Sequence, residues 1–190
     1  MGATLVLVRH GQTEWSLAGR HTGRTDIELT AAGEATAKAL APALADVDFD
    51  LVLTSPRLRA RRTAALAGFT EATVEDDLAE WDYGDYEGLT TPQIRESVPG
   101  WTIWDHPVPG GETPDEVGAR LDRVVERVRA TGGRVLVFAH GHSLRVLAAR
   151  WLGLPVQDGR IFDLDTATYS VLGDDRGQPV VQRWNVGPTL

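Results

Sequence analysis

Two short apolar runs that each end in His-Gly constrain this 190-residue chain more than any other feature. Leu7–Gly11 reads LVRHG and Val137–Gly141 reads VFAHG. The runs behind them, Thr4–Val8 and Arg134–Ala139, are apolar without alternation, the mark of strands buried on both faces of a parallel sheet. In an open parallel sheet, ligands bind beyond the carboxyl ends of the strands. His10 and His140 are therefore expected on one rim, with Arg9 beside them. A third strand, Leu51–Leu53, leads into TSPRLRARRT and sends Arg57 and Arg59 towards the same rim. Gly11 and Gly141 leave room for backbone N–H groups to approach an anion closely. Two imidazoles and at least two guanidiniums in one crevice make a pocket for a phosphoryl group.

The rest of the chain alternates apolar runs with amphipathic stretches, the pattern of an α/β fold with a largely parallel sheet. Thr30 opens a helix that runs to about Ala45, with Pro42 kinking or shortening it near the end. Pro56 suits the first turn of the next helix. Thr113 and Glu116 form a capping-box pattern, and Val117, Leu121, Val124, Val125 and Val128 follow as one apolar stripe. Leu144–Leu152 reads as an apolar helix stopped by Gly153 and Pro155. Ile161–Leu164, Tyr169–Leu172 and Val180–Trp184 read as late strands, antiparallel in part. Residues 70–112 are rich in Gly, Pro and Trp and read as an excursion covering the sheet edge. There is no linker or long-period repeat, so residues 1–190 are expected to form one domain.

Composition narrows the partners. The chain carries 19 Lys+Arg against 27 Asp+Glu, a net charge of −8, which argues against nucleic acid and anionic membrane. Absence of Cys excludes disulfides, thiolate nucleophiles and Cys zinc sites. No apolar run approaches the roughly 20 residues of a membrane span. Thr4–Val8 leaves no room for a signal peptide before it, so the cytoplasm is the expected compartment. Homo-oligomer formation is left open. The bland reading of any one histidine after a strand is a structural hydrogen-bonder; two in matching contexts, each followed by Gly, outweigh it. In the Arg57, Arg59, Arg61 and Arg62 cluster most side chains must face solvent, with Arg59 and then Arg57 favoured for the site. His140 and His142 lack a third ligand at metal spacing, so no metal and no cofactor are expected. His21 and His106 read as rim or solvent residues.

LVRHGQTEWS, HTGRTDIELTAAGE, TSPRLRARRTA, LAEWDYGDYEGLT and FAHGHS, in that order, resemble the histidine phosphatase superfamily in its phosphoglycerate-mutase-like branch. The likeness runs from Leu5 to about Gly153 and extends to small sugar-phosphate and acid phosphatases, sedoheptulose-bisphosphatase-like enzymes included. It implies a three-layer α/β/α fold. It further implies His10 as nucleophile, Arg9, Arg59 and His140 as phosphoryl-binding groups, and Glu80 as proton donor. Substrate-side positions fall on Ser16, Thr22, Gly23, Tyr83 and His142, with Gly141 beside them. Elementary chemistry fits these roles. A neutral imidazole attacks phosphorus at neutral pH, and a phosphohistidine splits one hard displacement into two easier ones. Fixed cations hold the equatorial oxygens without a metal. Glu80 needs a raised pKa to protonate a leaving oxygen, and Trp81 and Tyr83 offer apolar cover. Glu14, Asp82, Asp85 and Glu87 are rival carboxylates; Glu14 is expected to orient the His10 loop and Glu112 to cap the helix after it.

Mutases of this branch have a Lys after the Glu block and an inserted pair of arginines. This chain has Thr91 at the Lys position, and Arg95 is the one strong cation between Pro92 and Gly110, alongside Trp101, Trp104 and His106. The expected function is thus a metal-independent phosphomonoesterase acting through a phosphohistidine on a small phosphorylated metabolite, a sugar phosphate or bisphosphate. A phosphoglycerate mutase and a non-enzymatic phospho-ligand or phosphoprotein-binding module are the alternatives.

Overall fold

Successive side chains of a strand point to opposite faces, so a continuous apolar run must be covered on both. The computed structural model, which describes residues 2–188, covers it that way. Its sheet contains β1 (Thr4–Arg9), β2 (Leu51–Thr54), β3 (Thr73–Val74), β4 (Arg134–Ala139), β5 (Tyr169–Asp175) and β6 (Gln178–Val186). The spatial order is β3-β2-β4-β1-β5-β6. The first four of these are mutually parallel, while β5 and β6 are antiparallel. The helices are α1 (Glu14–Leu17), α2 (Ala31–Ala39), α3 (Ala41–Ala45), α4 (Leu58–Leu66), α5 (Thr91–Ser97), α6 (Pro114–Thr131) and α7 (Gly141–Trp151).

Leu5, Leu7, Leu53, Val135 and Val137 face α6 and α7, meeting Leu121, Val124, Leu144 and Leu147. Val6, Val8, Leu136 and Phe138 face the other way, against Leu40, Leu44 and Ala64. A three-layer α/β/α sandwich results. The stripe read on α6 is the buried one, each of its five residues 0–5% exposed, and each contributes roughly 1.5–3 kcal/mol by leaving water. The capping box at its start is present, and Gly132 ends it at φ 72°, a left-handed cap suited to Gly. Among the described residues, no helix is long and apolar enough to cross a membrane.

Several expected boundaries move. The helix after Thr30 breaks at Leu40, and Pro42 sits in the first turn of α3, where its missing N–H costs nothing. Pro56 lies ahead of α4 rather than in it, since Arg57 is the extended N-cap. Helix α7 begins at Gly141, three residues before the expected Leu144, because β4 turns into it with His140 as N-cap and no loop between. Ile161–Leu164 is not a strand: Val156–Ile161 is a 3-10 helix. The place beside β1 belongs to β5, and the carbonyls of Asp163 and Leu164 accept from the Trp184 indole and Arg9 instead. Of the 70–112 excursion, Thr73–Val74 becomes the edge strand itself. Trp81, Trp101 and Trp104 join the core on the α6/α7 side rather than shielding that edge.

Candidate active site

The parallel pairing of β1 with β4 runs in register to Arg9 opposite Ala139. The next residue of each strand is a histidine, and the two rings come to rest 5.2 Å apart. The His10 N–H donates to the Ala139 carbonyl at 2.9 Å, tying the two strand ends together. Both side chains are buried, His10 at 5% exposure and His140 at 0%.

The His10 Nδ1–H donates to the Gly11 carbonyl at 2.8 Å. With the proton on Nδ1, the Nε2 lone pair is free for the cleft. Burial, then the charges of Arg59 and Arg9, hold the His10 pKa well below the ordinary 6.5, so the ring is neutral at neutral pH and stays so into the acid range. Gly11 serves differently from the expectation. Its N–H is spent on Thr63 Oγ1 at 2.9 Å rather than held for an anion. A Cβ there would lie 2.6 Å from the Gly33 carbonyl. Gly11 is therefore small because the start of α2 packs on it.

Among the described residues, Arg9, Arg57 and Arg59 each have a buried Nε without a hydrogen-bond partner, and His140 Nδ1 is likewise unpartnered. The rest of each guanidinium is anchored where the burial is deepest. Arg9 Nη1 donates to the Leu164 carbonyl. Arg59, fully buried, gives Nη2 to the Thr22 carbonyl at 2.7 Å and Nη1 to that of Thr25 at 3.1 Å. None of the three forms an ion pair with a carboxylate among the described residues. Uncompensated buried cations are costly; an arriving anion removes that cost.

Glu80 is 7% exposed and stands at the N-terminus of α7. Its Oε1 accepts from the N–H groups of Trp81 at 2.9 Å and Ser143 at 2.8 Å, and its Oε2 from that of His142 at 3.0 Å. Backbone donors, not the apolar cover expected of Trp81 and Tyr83, thus place this carboxylate; Trp81 turns its indole N–H to the Glu112 carbonyl. Oε2, with one donor, keeps a lone pair for a proton. The rival carboxylates are occupied or exposed. Asp82 pairs with Arg24, and Glu14 and Asp85 are exposed, so Glu14 does not orient the His10 loop. Glu87 accepts from the N–H groups of Gly23 at 2.9 Å and Thr25 at 3.0 Å. Glu112 takes Arg120 instead of capping α6.

A cleft of about 180 Å³ opens on Arg9, His10, Ser16, Thr22, Glu80, Tyr83, Gly141, His142 and Arg145. The Tyr83 hydroxyl and His142 Nδ1 share a hydrogen bond of 2.6 Å, and burial raises the Tyr83 pKa well above 10.0, so the phenol keeps its proton. Gly23 is outside this lining, with its N–H on Glu87 and its carbonyl on Arg59. Ser16 reaches the cleft, but its Oγ is bonded to the N–H and carbonyl of Thr13. His21, read as a rim residue, is 9% exposed and lies 4.7 Å from the Tyr83 ring and 5.3 Å from Trp101.

Sequence reasoning missed Ser55, Thr63, Arg120 and Arg145. Arg120 alone had a signal: a charge on the apolar stripe of α6, where its Nη1 donates to the carbonyls of Asp77 and Ala79 and so braces the segment bearing Glu80. A histidine titration of the ligand-free protein should find His10, His140 and His142 uncharged at pH 6.5, since burial depresses all three. His21 should titrate near pH 4. Protonation of His10 near pH 6.5 would contradict this picture.

Residues 5–187 match the histidine phosphatase superfamily (branch 1). An acid phosphatase of Mycobacterium tuberculosis is 45% identical over 177 residues, which cover 91% of this chain and 87% of that one. The sedoheptulose 1,7-bisphosphatase of Saccharomyces cerevisiae is 39% identical over 185 residues, 80% of this chain and 68% of that one. A 2,3-bisphosphoglycerate-dependent phosphoglycerate mutase of Sinorhizobium fredii is 42% identical over 166 residues, 77% and 78% of the two chains. The solved structure of an open-reading-frame product of M. tuberculosis superposes with a TM-score of 0.94 at 41% identity, over 100% of both chains.

Proposed function

Because this chain belongs to the histidine phosphatase superfamily, branch 1, we propose that it is a metal-independent phosphomonoesterase acting through a phosphohistidine on a sugar phosphate or bisphosphate, with residues 1–190 as one domain. The observation that carries the reading is the set of buried groups without partners among the described residues, Arg9, Arg57 and Arg59 Nε with His140 Nδ1, on side chains gathered about the two histidines: the rings lie 5.2 Å apart, the charges of Arg59 and Arg9 act on His10, and those of Arg59 and Arg57 act on His140. In this reading those groups hold the equatorial oxygens, where fixed donors supply the largest share of catalysis. Nε2 of His10 attacks phosphorus and the ester P–O bond breaks. Glu80 gives its proton to the leaving alkoxide. Glu80 then takes a proton from water, whose oxygen attacks the phosphohistidine; inorganic phosphate leaves and His10 is regenerated. Tyr83, His142, Thr22 and Ser16 line the substrate's side of the cleft.

Two further arginines on the cleft, Arg20 and Arg145, also lack carboxylate partners among the described residues. Arg145 is fixed by the carbonyls of Gly159 and Arg160 and lies over Trp104 at 4.8 Å. Burial and then the charge of Arg145 lower the His142 pKa, with His21 and Arg9 adding to it, whereas burial and then the charges of Arg59 and Arg9 lower that of His10. The cleft thus has a second cationic end, which favours a bisphosphate over a monoester with a neutral tail. Against the mutase, Thr91 bonds His21 at 3.2 Å, and exposed Arg95 bonds the Trp101 carbonyl outside the cleft lining.

Phosphate release should be measured from sugar mono- and bisphosphates, phosphoglycerates and nucleotides, with chelator and with vanadate. The expected result is hydrolysis that survives chelation, stops with vanadate, and has a kcat/KM at least about tenfold higher for a bisphosphate than for the matching monophosphate, one tenfold step being 1.4 kcal/mol. Isomerisation of phosphoglycerates outrunning hydrolysis would make the mutase reading correct. Loss on chelation, restored by a divalent ion, would end the metal-free one.

A further inference from the structure

His140 is fully buried, and its two ring nitrogens meet different surroundings. Nε2 lies 2.6 Å from Ser55 Oγ, while Nδ1 is without a partner among the described residues. Ser55 is itself 0% exposed and is held at the carboxyl end of β2, where its N–H donates to the Phe138 carbonyl at 2.9 Å. Its Oγ already accepts the Arg57 N–H at 3.3 Å. A hydroxyl has one proton to give and two lone pairs, and among the described residues His140 is the only acceptor within reach of that proton.

From this geometry we infer that Ser55 is a positioning residue that sets the tautomer of His140: its O–H donates to Nε2, which leaves the ring proton on Nδ1, aimed at the phosphoryl oxygens. The inference rests on reading the cleft as a phosphoryl site. The opposite arrangement, Nε2–H donating to Oγ, would strand the hydroxyl proton in a buried place and present a lone pair of Nδ1 to an anion. Both are unfavourable. Burial, with the charges of Arg59, His10 and Arg57, keeps His140 neutral, so one proton must be assigned to one nitrogen. Ser55 also senses Arg57 through that residue's N–H, which places the third strand's loop and the second histidine in one hydrogen-bonded unit.

The test starts with the unaltered protein. Nitrogen-15 NMR of the histidine rings, with His140 assigned through a H140N variant, should show Nδ1 protonated and Nε2 bare. An Nε2–H tautomer there overturns the inference, whatever the enzyme hydrolyses. It can therefore fail while phosphatase activity stands, and the NMR remains readable if no phosphatase activity exists. In S55A the His140 signals should move towards the Nε2–H form. For phenyl phosphate, kcat should fall by about 10- to 100-fold, since a wrong tautomer forfeits a donor to the transferring group. Vanadate should bind more weakly by a similar factor. S55T, which keeps the hydroxyl, should restore the Nδ1–H tautomer and most of kcat. An S55A protein with wild-type tautomer, kcat and vanadate affinity would also overturn the inference.

Discussion

Replacing His10 by Ala should leave a folded protein whose turnover is at least about 10⁴-fold lower on every phosphomonoester, because the step that divides the displacement in two is gone. The fold should survive. Among the described residues the His10 side chain makes a single hydrogen bond, to the neighbouring Gly11 carbonyl, whereas the strand junction is held by its backbone N–H on Ala139. Quenching the wild-type enzyme during turnover should trap a phosphoryl adduct that is labile in acid and stable in base, located on His10. Circular dichroism of the variant should match wild type, so that lost activity is not lost structure. An adduct on Ser or Asp, or near-normal turnover by the variant, would remove His10 from the nucleophile's role.

Glu80→Gln should lower kcat/KM for a sugar phosphate by roughly 10²-fold or more while costing p-nitrophenyl phosphate much less. An alkoxide leaves with a high pKa and needs a proton; p-nitrophenolate does not. Geometry makes this contrast necessary, because the proposed proton donor is also a structural anchor. Its carboxylate also receives the N–H groups of His142 and Ser143 at the start of α7. A Gln there would turn an NH₂ towards one of those donors, at a cost of about 1–3 kcal/mol for an unmade buried bond. That structural cost falls on both substrates alike, so only a difference between them reports proton donation. Asp82→Asn and Glu87→Gln should show no such difference: Asp82 is paired with Arg24, and Glu87 clamps the Gly23–Thr25 backbone. Equal losses on both substrates in Glu80→Gln would leave Glu80 as an anchor of α7 and require another acid.

The site was legible to different depths. Arg9, His10 and His140 could be placed together because each follows an apolar strand without a gap, and strand ends in a parallel sheet share an edge. Arg59 was favoured among four arginines near a strand end by the family's pattern, and its fully buried place in α4 sets it apart from exposed Arg61 and Arg62. Glu80 came from the family's spacing; the backbone donors that hold it could not be read. The late Ile161–Leu164 segment misled because its alternating apolar residues, Phe162 and Leu164, are buried as a strand's would be, yet β5 occupies the place beside β1.

Sequence alone determined an α/β fold with a largely parallel sheet, the strands β1 and β4 with the histidines that follow them, and the stripe of α6. Each follows from a local pattern: an apolar run, a cap, a 3.6-residue period. Tertiary structure decided which atoms of those residues are free to react. The partner of His140 lies 85 residues away at Ser55, that of Glu80 lies 63 away at Ser143, and that of Arg9 lies 155 away at Leu164. Hydrogen bonds act over about 3 Å in space and are indifferent to distance along the chain. No local pattern could therefore show that Nδ1 of His10 is taken by the Gly11 carbonyl, that Nδ1 of His140 has no partner among the described residues, or that Gly11 is small because Gly33 packs against it.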